Sequence, residues 1–520
     1  MSKKLQIIVL AGIVLLAFGL RIYRLSDDLP YNDLGPTGAF LLDEGGYQLS
    51  AFHKVRLGEW QLPGTYYLGW TIRGYQQWVA AFFNLFDPNL FSARLASVTA
   101  VMISFFLLLA FLWKRTSATF ILLFGLLAAI NYPFVMWSKF ASPYPVVLLP
   151  AALFCLSLSY ALERQSIFWS LLAGLFVAVI GTVKETSLFF FPIGILACLA
   201  THRWHYKLNW PRVLWNPLLI SFTAGFIIPY EIYNAVYLAP AKGVWWNISA
   251  YDAQSAIQGY FHPSLKWAIE LPKSYARYAI KGGGLLLIWA TAFCGWGYFV
   301  RLLRRSSFPS KQILPFSIVM GSWFILMPFL LGTVNCVGGV GVQSVILFLL
   351  PVIYFATLSL SLLLAQQQKK APRTLALLLL LLMISADLFK HQRWLFAEEI
   401  GRLHETSSRI AEAVKSEKSP NGPVILTVDS AFLLLRQPEI KSTYIRSFHT
   451  DTLPTIVAQW NPDFLLLEKW GNPRLESQVF EKICQTQFHC SLMMELPLGN
   501  FDKKPLSVSL YRLSQSLNKS

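Results

Sequence analysis

Apolar runs near or above about 18 residues recur along the first three quarters of this chain, and each is long enough to cross a lipid bilayer. Hydrophobic residues make up 55% of the sequence and charged residues only 14%. The first run, residues 5–20, is followed by Arg21 and Arg24 where a signal peptide would have a small-residue cleavage site, so we interpret it as an uncleaved first helix. The sequence therefore predicts a polytopic α-helical membrane protein with about 11 transmembrane helices.

The formal net charge of +17 follows the predicted topology. Lysine and arginine cluster in short loops between apolar runs, for example at 114–115, 301–311 and 366–373. Such clusters mark the cytoplasmic side of a membrane, so the charge does not indicate a nucleic-acid partner. The pattern predicts a multi-pass membrane protein with a cytoplasmic N-terminus and a C-terminal domain on the opposite side. The short chain and loops favour the bacterial plasma (inner) membrane, with that domain periplasmic or extracellular; outside bacteria the same topology would place it in the lumen of the endoplasmic reticulum.

The composition changes after residue 391, which predicts two domains. Residues 1–391 form the transmembrane domain, with long exterior loops at 26–90 and 237–282. Residues 392–520 form a small soluble α/β domain, for which we predict strands at 424–429, 442–448, 463–470, 490–497 and 508–513. We expect the last two strands to pair antiparallel. This domain has no glycine fingerprint for a nucleotide, so we assign it packing or acceptor contact.

Adjacent carboxylates, Asp43 and Glu44, lie in the first exterior loop. We predict that Asp43 caps the start of a helix, that Tyr47 and Ala51 share its face, and that Gly58 ends the helix. Two acids that merely cap a surface helix would give the same pattern. Their place on the outer face, after an odd number of crossings, favours a catalytic role instead.

Three cations are predicted near the same face: Arg94 at the start of the second span, Lys139 after the third and Lys184 after the fifth. Each could simply extend to lipid headgroups. Ionisable groups at membrane depth are nevertheless candidates for function, and a cation beside a departing phosphate stabilises its charge. A carboxylate can act as general base for an attacking hydroxyl. We also assign Tyr47 and His53 to substrate binding.

No cofactor is required for this chemistry, because a monophosphate leaving group needs less charge neutralisation than a diphosphate. A divalent metal is compatible with it, and Asp43 and Glu44 would then be its ligands. Cysteine spacing shows no metal site. In the exterior domain, an oxidising compartment favours a disulfide between Cys484 and Cys490.

These residues resemble the GT-C fold glycosyltransferases, specifically the bacterial relatives of protein O-mannosyltransferases and of the lipid A aminoarabinose transferase. The resemblance covers residues 1–200 and is carried by Asp43-Glu44 with Tyr47, Ala51 and Gly58, by Arg94-Leu95, by Ser138-Lys139, and by Lys184 before an apolar run reaching Pro192. It implies inverting transfer of a sugar from a polyprenyl-phosphate donor on the outer face. Asp43 would be the general base, Glu44 would orient it or bind acceptor, and Lys184 would bind the donor phosphate.

The chain departs from this family in two places. Many relatives carry an Arg-Tyr pair before a late span, whereas residues 339–351 contain Gln343 and no arginine, and Lys139 stands where relatives often have arginine. The sugar is open, and the acceptor is a lipid, a glycan or a protein. The principal alternative is a polytopic transporter or lipid flippase, although the sequence shows neither an internal repeat nor matched broken helices. A non-catalytic scaffold is a further alternative.

Overall fold

The computed structural model describes residues 2–27, 40–60, 72–238, 285–305, 312–338, 346–366, 370–395, 402–417, 422–428, 432–445, 453–469, 480, 483–484, 488–501 and 504–515. Gln343 and nearly all of the predicted loop 237–282 lie outside these residues, as does the side chain of Asp43.

The helices of the first part of the chain carry the candidate site. They are α1 (Lys3–Ile22), α2 (Phe40–Leu57), α3 (Arg73–Phe86), α4 (Leu90–Trp113), α5 (Ala118–Ile130), α6 (Tyr132–Lys139), α7 (Pro143–Arg164), α8 (Ile167–Val183), α9 (Phe190–Ala200), α10 (Trp210–Leu214) and α11 (Pro217–Tyr233). A short 3-10 helix, Glu185–Phe189, precedes α9, and π-helical turns follow α9 and α11 at Thr201–His205 and Asn234–Leu238.

The later helices complete the membrane part and begin the C-terminal domain. They are α12 (Leu285–Arg305), α13 (Leu314–Gly338), α14 (Ile346–Ala365), α15 (Lys370–Leu395), α16 (Arg402–Lys415), α17 (Phe432–Arg436) and α18 (Leu453–Trp460). The strands are β1 (Val424–Val428), β2 (Lys441–Ile445), β3 (Phe464–Lys469), β4 (Phe488–Phe501) and β5 (Lys504–Gln515).

The described residues contain eight helices that are long and apolar enough to cross a membrane, or nine if the bent pair α5–α6 forms one span. Two shorter apolar stretches are also helical: Ile167–Val183, which is α8, and Leu314–Met327, which is the first part of α13. Lipid offers no partner for backbone N–H and C=O groups, so apolar runs of this length must satisfy them within a helix. The predicted multi-span helical architecture is confirmed.

Helices α8 and α11 approach each other closely through glycine. A Cβ atom at Gly174 would collide with the carbonyl oxygen of Phe222, and one at Gly225 would collide with that of Leu171. Small residues at such contacts let two helix backbones touch, which replaces the hydrophobic driving force that lipid cannot supply.

A five-stranded mixed sheet of order β2-β1-β3-β5-β4 forms the C-terminal domain. Strands β2, β1 and β3 run parallel, whereas β5 pairs antiparallel with both β3 and β4. The predicted α/β class and the closing antiparallel pair are confirmed. The predicted disulfide between Cys484 and Cys490 is present, with 5.3 Å between the two Cα atoms.

The structure corrects two of the sequence-based predictions. Helix α2 begins at Phe40, so Asp43 is its fourth residue and not its N-cap. The third span, which the sequence places before Lys139, is not one continuous helix, because α5 and α6 meet at Asn131 with a bend of 56°. Gly58 does follow the end of α2, with a φ of +78° that favours glycine.

Candidate active site

Glu44 is completely buried and bound by Arg94 in a two-pronged ion pair. Nε of Arg94 donates to Oε1 of Glu44 at 2.9 Å, and Nη2 donates to Oε2 at 2.7 Å. Neither side chain has any exposed surface. Parallel charge-assisted bonds of this kind fix both the distance and the plane of the carboxylate. The ion pair therefore locks the first turns of α2 onto α4.

The remaining donors of Arg94 reach the end of the first span. Nη1 donates to the carbonyl of Leu25 at 2.9 Å and also to the carbonyl of Asp27. Arg94 thus makes four hydrogen bonds to three partners. Because these bonds join α1, α2 and α4, Arg94 lies at the centre of a closed network.

Helix α2 also holds the connection between α6 and α7. The N–H of Ala141 donates to Oε1 of Glu44 at 2.9 Å, while Nε2 of Gln48 donates to the carbonyl of Ala141 at 2.8 Å. Glu44 and Gln48 are four residues apart, so they lie on one face of α2. Gln48 also donates to the hydroxyl of Tyr75 at 2.7 Å. Burial, and then the nearby Glu44, raise the pKa of Tyr75 well above its usual value.

Gln76 of α3 binds the backbone of α2 one turn after the acids. Its side chain donates to the carbonyl of Tyr47 and accepts the N–H of Ala51 at 2.8 Å. These two backbone groups would pair with each other in a regular helix. Gln76 therefore adds a second lateral anchor for α2.

The predicted phosphate-binding lysines occupy two different places. Lys139, at the end of α6, is buried, and its Nζ donates to the carbonyl of Tyr23 at 2.7 Å. Lys184 follows α8 and is 7% exposed, with Nζ 5.9 Å from the ring centroid of Tyr144. Tyr144 lies in the first turn of α7, just after Ala141. Both lysines thus flank the connection that α2 holds.

His53 lies on α2 and faces Trp460 of the C-terminal domain. It is 1% exposed, and the ring of Trp460 lies with its centroid 6.5 Å away. Burial lowers the pKa of His53 to about 4, so the imidazole is neutral at ordinary pH. The side chain of Tyr47 is only partly buried. The two predicted substrate-binding residues therefore differ in accessibility: His53 is closed off from solvent, whereas Tyr47 keeps some exposed surface.

An arginine of the C-terminal domain reaches the carboxylate of Glu44. Arg436, the last residue of α17, has a side chain only 1% exposed and places Nη2 3.9 Å from Oε2 of Glu44. Helix α17 packs directly on α2. Arg436 was not among the residues predicted from the sequence, although a single cation closing the apolar stretch FLLLR was a signal.

Three further ionisable residues, Arg21, Asp387 and His391, were also missed. They are buried and bind the junction between α5 and α6. The signal was their position inside the apolar first and last spans, where ionisable side chains are costly. Asp387 and His391 are also four residues apart and hence on one helix face.

Among the described residues, no three His, Cys, Asp or Glu side chains lie close enough together to hold a metal ion. The metal ligands that the sequence suggested, should a metal be bound, were Asp43 and Glu44. Of these, Glu44 has both carboxylate oxygens engaged by Arg94 and Ala141.

The chain combines a bundle of membrane helices with a C-terminal α/β domain, and it shares the GT-C fold with solved structures, among them ArnT and AglB. ArnT from Cupriavidus metallidurans, bound to undecaprenyl phosphate, matches with a TM-score of 0.54 and 12% identity over 98% of both chains. AglB, the archaeal oligosaccharyltransferase from Archaeoglobus fulgidus, in complex with an inhibitory peptide and a dolichol-phosphate, matches with a TM-score of 0.52 and 11% identity over 100% of this chain and 75% of AglB. No protein-family model and no curated protein sequence matches the chain.

Proposed function

We propose that the protein is an integral membrane glycosyltransferase that moves a sugar from a polyprenyl-phosphate donor to an acceptor hydroxyl on the outer face of the membrane, with inversion at the anomeric carbon. The observation that carries this proposal is the fixed acidic helix. Glu44 is bound by α4 and by the α6–α7 connection, so the backbone turn that contains Asp43 is held in place. We assign Asp43 as the general base.

The proposed reaction forms one bond and breaks one bond at the anomeric carbon. The acceptor oxygen attacks the face opposite the phosphate, and its proton passes to the carboxylate of Asp43. The bond from the anomeric carbon to the phosphate oxygen breaks, and its electron pair stays on the lipid phosphate. Lys184 and Lys139 would stabilise that charge. To bind the phosphate, Lys139 and Lys184 must either give up their present contacts with Tyr23 and Tyr144 or keep them while also contacting the phosphate.

The ion pair between Glu44 and Arg94 indicates a structural role for both residues. Arg94, which the sequence suggested for phosphate binding, makes four hydrogen bonds to Glu44 and to two carbonyls. We therefore propose that Arg94 acts by holding Glu44. Glu44 in turn orients the start of α2, which matches the orienting role that the sequence suggested for it. A divalent metal remains compatible with Asp43, but the proposed reaction does not use one.

The bound lipids of the two similar structures support the donor class. ArnT was solved with undecaprenyl phosphate and AglB with a dolichol-phosphate, both of which are polyprenyl-type phosphates. We propose a lipid of this class carrying a sugar as the donor, and a lipid, glycan or protein as the acceptor. The proposed site is the bacterial plasma membrane, with the N-terminus in the cytoplasm and the exterior domain outside.

The test is a mass-spectrometric assay of the purified protein with polyprenyl-phosphate sugars and a mixture of simple acceptors. We expect the wild type to remove the sugar from the lipid and Asp43→Asn to lose at least about 100-fold in turnover, because an amide cannot accept the proton. Asp87→Asn is the matched control, since Asp87 is an exposed acid after α3. Equal turnover by wild type and Asp43→Asn would refute the base assignment.

The alternative, a transporter or flippase, is tested in the same preparation. The wild type is reconstituted in vesicles with a fluorescent polyprenyl phosphate on one leaflet. Movement of the lipid between leaflets without any sugar transfer would favour the flippase. Sugar transfer without movement of the lipid is the result that we expect.

A further inference from the structure

The junction between α5 and α6 is a break in a buried membrane helix. The two helices meet at Asn131 with a bend of 56°. A helix end leaves carbonyl groups without partners, and a helix start leaves N–H groups without partners. In lipid no water can satisfy them, so protein side chains must do so.

Two side chains, Arg21 and His391, bind the carbonyls at the end of α5. Arg21 of α1 donates to the carbonyl of Ala128 at 3.1 Å and to that of Ala129 at 3.3 Å. His391 of α15 places Nε2 2.8 Å from the carbonyl of Ile130. Three successive carbonyls are thus bound from two different helices.

A carboxylate binds the first N–H group of α6. Oδ1 of Asp387 accepts the N–H of Tyr132 at 3.1 Å, and Oδ2 lies 3.5 Å from Nδ2 of Asn131. The amide oxygen of Asn131 accepts the N–H of Phe134 at 3.2 Å. Because Asp387 and His391 are one turn apart on α15, a single helix face binds both sides of the break.

The break is connected directly to the acidic network. Helix α6 has eight residues, so it is about 12 Å long. A rotation of about 10° at Asn131 would move its far end by about 2 Å. That end leads to Ala141, whose N–H lies 2.9 Å from Glu44. A displacement of this size would break the bond.

We propose that Asp387 and His391 are positioning residues, which set the angle of the broken span and thereby the place of Ala141, Glu44 and the catalytic turn. The proposal rests on the proposed transferase function for its activity readout. The proposal requires that Asp387 accept a hydrogen bond from the N–H of Tyr132. It also requires that His391 donate a hydrogen bond to the carbonyl of Ile130. Neither residue touches substrate in this scheme.

The experiment compares Asp387→Asn with Asp387→Leu in the full-length protein. An amide oxygen can still accept the N–H of Tyr132, whereas leucine cannot. We expect Asp387→Asn to keep at least about a third of wild-type kcat and Asp387→Leu to lose about 100-fold, which is the effect of a displacement of about 1 Å at a catalytic group. The donor KM should change less than about threefold. Ser385→Ala, an exposed position on the same helix, is the control.

Hydrogen–deuterium exchange of residues 131–141 is a readout that needs no activity. Faster exchange of this segment in Asp387→Leu, with wild-type exchange in Asp387→Asn, is the expected result. An equal loss of kcat in both variants would overturn the proposal, since it would mean that the negative charge itself is used. Unchanged exchange in Asp387→Leu would also overturn it. An inactive wild type would refute the transferase function and leave the exchange result to decide on positioning.

Discussion

The buried ion pair between Glu44 and Arg94 gives a quantitative prediction. In Glu44→Gln the guanidinium remains buried without its anion, and in Arg94→Met the carboxylate remains buried without its main cation. Removal of one partner of such a pair costs about 3–5 kcal/mol of the free energy of unfolding. In the double variant neither charge of the pair remains. Arg436, whose Nη2 lies 3.9 Å from Glu44, loses that contact equally in Glu44→Gln and in the double variant, so the cost of the double variant is still below the sum.

The magnitude of this coupling follows from the contacts. Arg94→Met also removes the donors of Leu25 and Asp27, which the double variant does not restore. If each single variant costs about 4 kcal/mol and the double about 5, the coupling energy is about 3 kcal/mol. Arg94 and Glu44 have no exposed surface, so salt should barely reduce this value.

The assay is unfolding of the purified protein in mild detergent by added dodecyl sulfate, followed by circular dichroism. The pair Lys415–Glu439, whose side chains are 54% and 48% exposed, is the control cycle. We expect its coupling energy to stay below about 1 kcal/mol, as for exposed ion pairs. A coupling between Glu44 and Arg94 below about 0.5 kcal/mol would refute the closed network described above.

Three further predictions concern single side chains. Lys184→Ala should weaken binding of polyprenyl phosphate about 10- to 100-fold in a thermal-shift titration, whereas Lys184→Arg should not; a change in acceptor affinity alone would contradict the phosphate role. Burial lowers the pKa of His53 to about 4, so its contribution to stability is complete above about pH 6.5 and is lost as the pH falls toward 4. His53→Gln should therefore flatten the dependence of the unfolding midpoint on pH, and an unchanged slope would contradict this. Arg436→Gln should speed hydrogen exchange in α2, because its guanidinium lies 3.9 Å from Glu44, whereas the exposed Lys415→Gln should not.

The membrane helices and the exterior strands could be predicted because their cause is local. An apolar run of about 18 residues in lipid can satisfy its backbone groups only as a helix. The strands are marked by alternating apolar and polar residues between turn residues. The end of α2 at Gly58 and the disulfide between Cys484 and Cys490 have local causes as well. Asn131 shows a partial signal, since Pro133 follows at the second position of α6, where proline starts helices readily.

The partners of the buried charges could not be predicted in this way. Glu44 and Arg94 are 50 residues apart, and Asp387 is 255 residues from Tyr132. The apolar runs say which segments enter the membrane, but not which helices become neighbours or which faces meet. Sequence alone thus marked Asp43, Glu44 and Arg94 as unusual residues near one membrane face. Only the tertiary structure decided that Arg94 binds Glu44, because that choice depends on how α1, α2, α4 and the α6–α7 connection pack together.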